Sequence, residues 1–247
     1  MKAKKIHIFI LIVILLLTLF IRANNFKNYW SFWADDGGGH AIYAKILIEE
    51  HRLPKTEDTY LAWHEPVYYI ALMGWDKINN IFSFDQLKWW EVSNILIYFI
   101  FLWLVYLFTY LYSQKNQWLA LLNVFIFSVF FIGVKLSAYI NNELLFHTLV
   151  LWLLILFKKQ KLTEINREKK VIIWSVILAL TILTKITGWV ILIGTVIFWL
   201  IKTLTSRQIS YLKYILLAIA IVGAINLPWI IYKQKNFGTY FSINIYN

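Results

Sequence analysis

The chain has 247 residues, of which 60% are hydrophobic, 19% aromatic and only 15% charged, with a mean hydropathy of +0.63. A water-soluble fold of this size runs nearer half apolar and could not hide so much apolar surface, so the composition excludes a soluble globular domain. The lack of cysteine excludes disulfides, thiolate metal sites and a thiol nucleophile, and the net charge of +11 is distributed to orient a membrane protein rather than to bind nucleic acid.

The first apolar run, residues 6–21, follows Lys2, Lys4 and Lys5. No small-residue cleavage pattern follows it, so it reads as a retained anchor rather than a removed signal. Residues 23–86 form the one long non-spanning segment, far beyond the length of a simple connection. Two helices are predicted inside it: "GHAIYAKILIEEHRL", starting after the glycines and ending at Pro54, and "PVYYIALMGWDKI", with Pro66 at the first helical position. Trp30, Trp33, Trp63, Trp75, Tyr68 and Tyr69 lie in this segment, and such residues favour the membrane–water interface, so both helices are expected to lie along the bilayer surface.

Six further apolar runs follow at 96–112, 118–134, 144–157, 171–183, 189–201 and 214–231. A spanning helix needs about 20 mostly apolar residues, so flanking aromatic and polar residues must complete the shorter runs. The expected fold is all-α: a polytopic membrane protein of about seven transmembrane helices with a large first extracytoplasmic loop containing two interfacial helices. It forms one module, with 1–22 the first span, 23–86 the first outer loop, 87–232 six further spans and 233–247 the start of a second outer loop.

Charge assigns the sides. With the N-terminus inside, the predicted cytoplasmic segments carry thirteen Lys and Arg residues against Glu164 and Glu168, while eleven cations and eleven acids remain outside. The whole net charge thus falls on the cytoplasmic side, as the positive-inside rule expects.

Four motifs on the outer side carry candidate chemistry. In "WADDGGG", Asp35 and Asp36 fit a solvated turn or a helix start; alternatively, one takes a proton from an attacking hydroxyl while the other orients an acceptor or holds a metal. The glycines there would let the backbone approach a bulky ligand. In "WHEPVYY", Pro66 starts a helix, and His64 and Glu65 add a titratable pair before it. In "YINNELLFH", Asn141 or Asn142 suits a helix cap with Glu143 in the first turn, and Glu143 also fits a site shared with Asp35. In "TKITGW", Lys185 either snorkels to the interface or meets a lipid phosphate, and Lys135 is equally ambiguous. His147 reads as a packed bundle residue, since a single His is poor grounds for a metal. "LPKTE" lacks the final Gly of a sortase signal.

These pieces, in this order, resemble the GT-C superfamily of membrane glycosyltransferases, nearest its RgtA/B/C/D-like group, with aminoarabinose transferases and protein O-mannosyltransferases as related branches. The family's acidic pair opening the first outer loop is matched by Asp35-Asp36. Its Pro-Pro-hydrophobic-Tyr-Tyr segment is matched by "HEPVYY", with Val67 in place of the second Pro and with Tyr68 in the tyrosine pair. Its later acidic residue is matched by Glu143, beside Asn142, and its lysine between the fifth and sixth spans by Lys185. "NLPWIIYKQKNFG" is similar to the seventh span leading into a second outer loop. The glycine triplet replaces a more polar run, and relatives continue with further spans.

The resemblance implies transfer of a sugar from a polyprenyl-phosphate-linked donor to a lipid, glycan or protein acceptor on the outer face of the bacterial inner membrane, with inversion and without nucleic acid. Asp35 would be the general base. Asp36 and Glu143 would position the acceptor or, as the alternative, coordinate a divalent cation (Mg or Mn). Lys185, helped by His64, would neutralise the phosphate leaving group, with Glu65, Tyr68 and Asn142 contributing to substrate binding. The competing readings are a non-catalytic or truncated scaffold or partner subunit, and a transporter of lipid-linked sugars. Transporters carry interrupted spans and mid-membrane ionisable groups, whereas the ionisable residues here cluster at the outer surface.

Overall fold

The computed structural model describes residues 2–28, 36–159, 167–206 and 210–238. Among these residues all regular structure is helical: α1 (Lys2–Asn28), α2 (Gly37–Glu49), α3 (Val67–Phe82), α4 (Gln86–Tyr112), α5 (Gln117–Val129), α6 (Phe131–Leu136), α7 (Glu143–Lys159), α8 (Arg167–Ile182), α9 (Gly188–Ser206) and α10 (Ser210–Phe237). Among the described residues, four helical stretches are long and apolar enough to cross a bilayer: Ile6–Phe26, Gln86–Tyr112, Gly188–Ser206 and Tyr211–Phe237. Helices α7 and α8, of 17 and 16 residues, are about 24–26 Å long at 1.5 Å per residue, slightly under the hydrocarbon thickness of about 30 Å. Large apolar side chains such as Phe9, Phe20, Val190 and Leu216 are two-thirds or more exposed, the pattern of a surface whose solvent is lipid. The chain is a membrane protein.

Two bundles of buried side chains hold the long helices. Trp174, Leu178, Trp199, Ala218 and Val222 join α8, α9 and α10, while Ile14, Leu102, Val124 and Leu144 join α1, α4, α5 and α7. The expected run at 118–134 is broken, because α5 stops at Val129 and Phe130 is extended. Side chains satisfy the carbonyls that this break frees. Arg22 Nη2 donates to the Ser128 carbonyl at 3.2 Å, and the Tyr98 hydroxyl donates to that of Phe127. The buried Arg22 thus places a cation at the negative end of α5, stacked 4.3 Å over the Tyr98 ring.

A third cluster is built from the first long segment. Helices α2 and α3 face each other through Tyr43 and Tyr69, whose rings stack at 3.7 Å and are fully buried. Trp75 on α3 stacks on Trp89 of α4 at 4.6 Å, and each indole N–H donates to the other residue's carbonyl, at 2.8 and 3.0 Å. Asp85 caps α4 through the Lys88 N–H.

Two expectations for this segment need correction. Helix α2 does not run to Pro54; it ends at Glu49, and His51 adopts a left-handed φ of 53°, which turns the chain into a loop clasped by Arg52 and Asp58. Nor does α2 start after the glycines, because Gly37, Gly38 and Gly39 form its first turn. A Cβ on Gly39 would lie 2.8 Å from Leu61 and 2.9 Å from Tyr60. This glycine therefore admits the 59–63 loop, and close approach of a ligand is not what it is needed for.

Candidate functional site

The site forms where five segments meet: the start of α2, the 59–67 segment, the start of α7, the turn between α8 and α9, and the end of α10. Backbone and amide bonds lock the meeting point. The Val67 N–H donates to the Leu183 carbonyl at 3.0 Å, Asn142 Nδ2 donates to the Thr184 carbonyl at 2.9 Å, and the Ile186 N–H lies within electrostatic reach of the Glu65 carboxylate. The turn carrying Lys185 is thereby held from both flanks.

Two carboxylate–ammonium pairs occupy the centre. Lys185 pairs with Glu143, and the side chains are 30% and 33% exposed. Lys233 pairs with Glu65 at 3.0 Å, with side chains only 3% and 2% exposed. The Lys233 ammonium lies 5.6 Å from the Trp63 ring centre and 5.7 Å from that of Trp229, an aromatic box that partly replaces its lost hydration. Burial pushes the Glu65 carboxyl above the ordinary carboxylate range, against the pull of Lys233 and of the Ile186 N–H. The two pairs differ in kind: the first is open to exchange with an incoming anion, and the second is sealed.

His64 stands within electrostatic reach of Asp36, Lys185, Lys233 and Glu143. Burial holds its pKa down to about 4, with the two lysines adding to the effect and the two acids opposing it. His40 is more buried, and burial, the His64 ring and Lys185 lower its pKa to about 3. The two imidazoles are 5.3 Å apart, and His40 Nδ1 hydrogen-bonds the Tyr69 hydroxyl at 2.6 Å. Burial holds both rings neutral at physiological pH, so His64 has a hydrogen bond to offer at the cluster. His64 Nδ1 and the neighbouring Trp63 Nε1 are buried without a partner among the described residues, leaving two hydrogen-bonding atoms uncommitted beside the ion pairs.

The structure thus brings Asp36, His64, Glu65, Glu143 and Lys185 together. Asp36 is exposed at the start of α2, and its Oδ1 accepts from the Tyr60 hydroxyl at 3.1 Å rather than capping the helix. Asp35 lies outside the described residues. Asn142 is buried and spent on Thr184, while Asn141 caps α7 through the N–H groups of Glu143 and Leu144. Tyr68 is buried, with its hydroxyl donating to Asn94 and accepting from the Asn141 N–H. Asn142 and Tyr68 therefore shape the site from behind. His147 is on the open side, 3.8 Å from Glu143.

A cavity of about 410 Å³ adjoins the charged cluster, lined by apolar side chains of α4 to α7 such as Phe101, Phe127, Ile132 and Leu151, with His147 also in its wall. Among the described residues no group of three or more His, Asp or Glu side chains is placed to hold a metal ion. The sequence reading missed His40 and Lys233. For Lys233 a signal existed: Trp229 precedes it by four residues, the spacing that sets two side chains on one helix face.

Comparison with protein-family models, with curated proteins and with solved structures finds no match.

Proposed function

We propose that the chain is a membrane glycosyltransferase that moves a sugar from a polyprenyl-phosphate-linked donor to a hydroxyl acceptor at the outer face of the inner membrane. In this reading α1, α4, α5 and α7–α10 all cross the bilayer, with the N-terminus cytoplasmic and α2 and α3 in the first outer loop. The observation that carries the reading is the convergence of Asp36, His64, Glu65, Glu143 and Lys185, drawn from segments up to about 150 residues apart, on one partly open cluster. A soluble substrate would not require an apolar cavity beside that cluster. A prenyl chain would occupy it, with the phosphate emerging near Glu143 and Lys185.

The chemistry follows from the exchangeable pair. An arriving phosphate takes over Lys185, and the released Glu143 is then free to orient the acceptor. The acceptor hydroxyl loses its proton to Asp35, its oxygen bonds to the anomeric carbon, and the carbon–oxygen bond to phosphate breaks with the electron pair leaving on phosphate. Lys185 stabilises the charge that develops there, and His64 supplies a neutral hydrogen bond. A single displacement inverts the anomeric centre. Asp36 sits one residue from the base and is steered by Tyr60.

The test is binding of a polyprenyl phosphate to the protein in nanodiscs. Wild type should bind, and Lys185→Gln should weaken binding by at least about tenfold, the scale of one lost charge-assisted contact of 1.5–3 kcal/mol. Equal affinity in the two proteins would contradict the assignment of Lys185.

A further inference from the structure

We infer that Lys233, at the outer end of α10, is the positioning residue of this site, acting through Glu65 to fix the turn that presents Lys185. A continuous chain of contacts links them. The Lys233 ammonium pairs with the Glu65 carboxylate at 3.0 Å, and two residues beyond Glu65 the Val67 N–H donates at 3.0 Å to the carbonyl of Leu183, two residues before Lys185. On the other side of the turn, the Ile186 N–H lies within electrostatic reach of the same carboxylate. The short segment that carries this carboxylate, sealed from water, thus bridges α10 to the 183–188 turn.

Exposure separates this pair from its neighbour. The Lys185–Glu143 side chains are about one-third open, so water or an anion can replace either partner. The Lys233–Glu65 side chains are almost wholly enclosed, between Trp63 and Trp229. An ion pair in such a place contributes little stability relative to apolar residues of the same volume, but it specifies one arrangement, because either charge left alone is strongly unfavourable. A second strut runs alongside: the Tyr232 hydroxyl donates to the Pro54 carbonyl at 3.4 Å. Beyond Pro228, which interrupts the helix ladder of α10, the last turns of the helix are fastened to the 54–65 segment.

The cysteine-free sequence lets nitroxide labels be placed singly. One is attached at Thr187→Cys, exposed in the turn, and a control at Thr205→Cys, exposed at the far end of α9. Lys233→Met should free the Thr187 label while leaving the Thr205 label unchanged. The charge-free pair Glu65→Gln with Lys233→Met should immobilise it again, since no buried charge is then left alone beside the Val67–Leu183 bond. An unmoved Thr187 label in Lys233→Met would overturn the inference, as would equal loosening of both labels, which would make the pair a support of the whole fold.

The link to function rests on the transfer reading and is measured separately. Lys233→Met should weaken polyprenyl-phosphate binding by about tenfold or more although Lys185 is intact, and the charge-free pair should recover most of it. Full binding by Lys233→Met despite a freed Thr187 label would overturn the link alone. A freed label with no binding by wild type would leave the positioning role standing and remove the transfer reading.

Discussion

Acidification should destabilise this protein through His40 and His64 specifically. Each ring is held neutral in the folded state, with a pKa of about 3 and about 4 respectively, burial being the largest cause in both. In the unfolded chain each returns to about 6.5 and binds a proton as the pH falls below that value. The folded-state values are depressed, so the stability they represent is present above about pH 6.5 and is lost as the pH falls toward 4. At about pH 5 the unfolded state gains about 2 kcal/mol per histidine, or about 4 kcal/mol together, which corresponds to roughly 10 °C in melting temperature for a chain of this length. Glu65 works the other way: burial raises its folded pKa, so its contribution is largest at low pH and is lost as the pH rises. The comparison that isolates the histidines is thermal unfolding in nanodiscs at about pH 7.5 and about pH 5, for wild type and for His40→Gln with His64→Gln. Wild type should lose about 4 kcal/mol more than the double variant on acidification. Parallel losses in the two proteins would refute the claim that these rings are buried neutral.

The ion pairs should separate by burial. Lys233→Met should cost about 3–5 kcal/mol by stranding a buried carboxylate, while Glu65→Gln with Lys233→Met should return within about 1–2 kcal/mol of wild type, as read by melting temperature; a double variant no more stable than the single would contradict this. Because Lys233 no longer restrains Glu65 in that single variant, its stability should also fall more steeply with rising pH than that of wild type. Gly39→Ala should destabilise by about 1–3 kcal/mol, since the new methyl meets Leu61, which is buried and cannot swing aside. Gly74→Ala, with nothing within 4 Å of its Cβ, should instead stabilise α3 by about 0.5–1 kcal/mol. Single cysteines at Tyr60 and Thr187 should react with an impermeant thiol reagent from outside intact cells and one at Ser113 only after permeabilisation; the reverse pattern would overturn the seven-span orientation.

Much of the fold was legible because apolar runs and helix punctuation are local signals. Seven apolar stretches predicted seven helices, and four of these meet the length and hydropathy of a span. The break at Phe130 was not legible. It depends on Arg22 and Tyr98, far away in sequence, capping the carbonyls it frees. In the sequence Pro54 is the nearest visible stop for α2, whereas the chain turns earlier, at His51, and Arg52 reaches Asp58. Within the site, the polar motifs pointed to five residues that do converge. Sequence could not say that Lys185 and Glu143 pair, or that Tyr68 and Asn142 spend their polar atoms on the scaffold, because these follow from how α3, α4, α7 and the 183–188 turn pack. Lys233 was hidden by its place at the end of an apolar helix, where a cation reads as a snorkelling anchor.

The central claim is sugar transfer, and the direct measurement uses proteoliposomes carrying radiolabelled polyprenyl-phosphate sugars and a mixed pool of lipid and glycan acceptors. Wild type, Asp35→Asn and Lys185→Gln are compared after each is shown to be inserted and folded. The account predicts that wild type moves label from the prenyl lipid to an acceptor and that Asp35→Asn slows this by about 10²–10⁴-fold, the usual contribution of a positioned base. Correctly inserted wild type that leaves the label on its prenyl lipid with every sugar tried would contradict it.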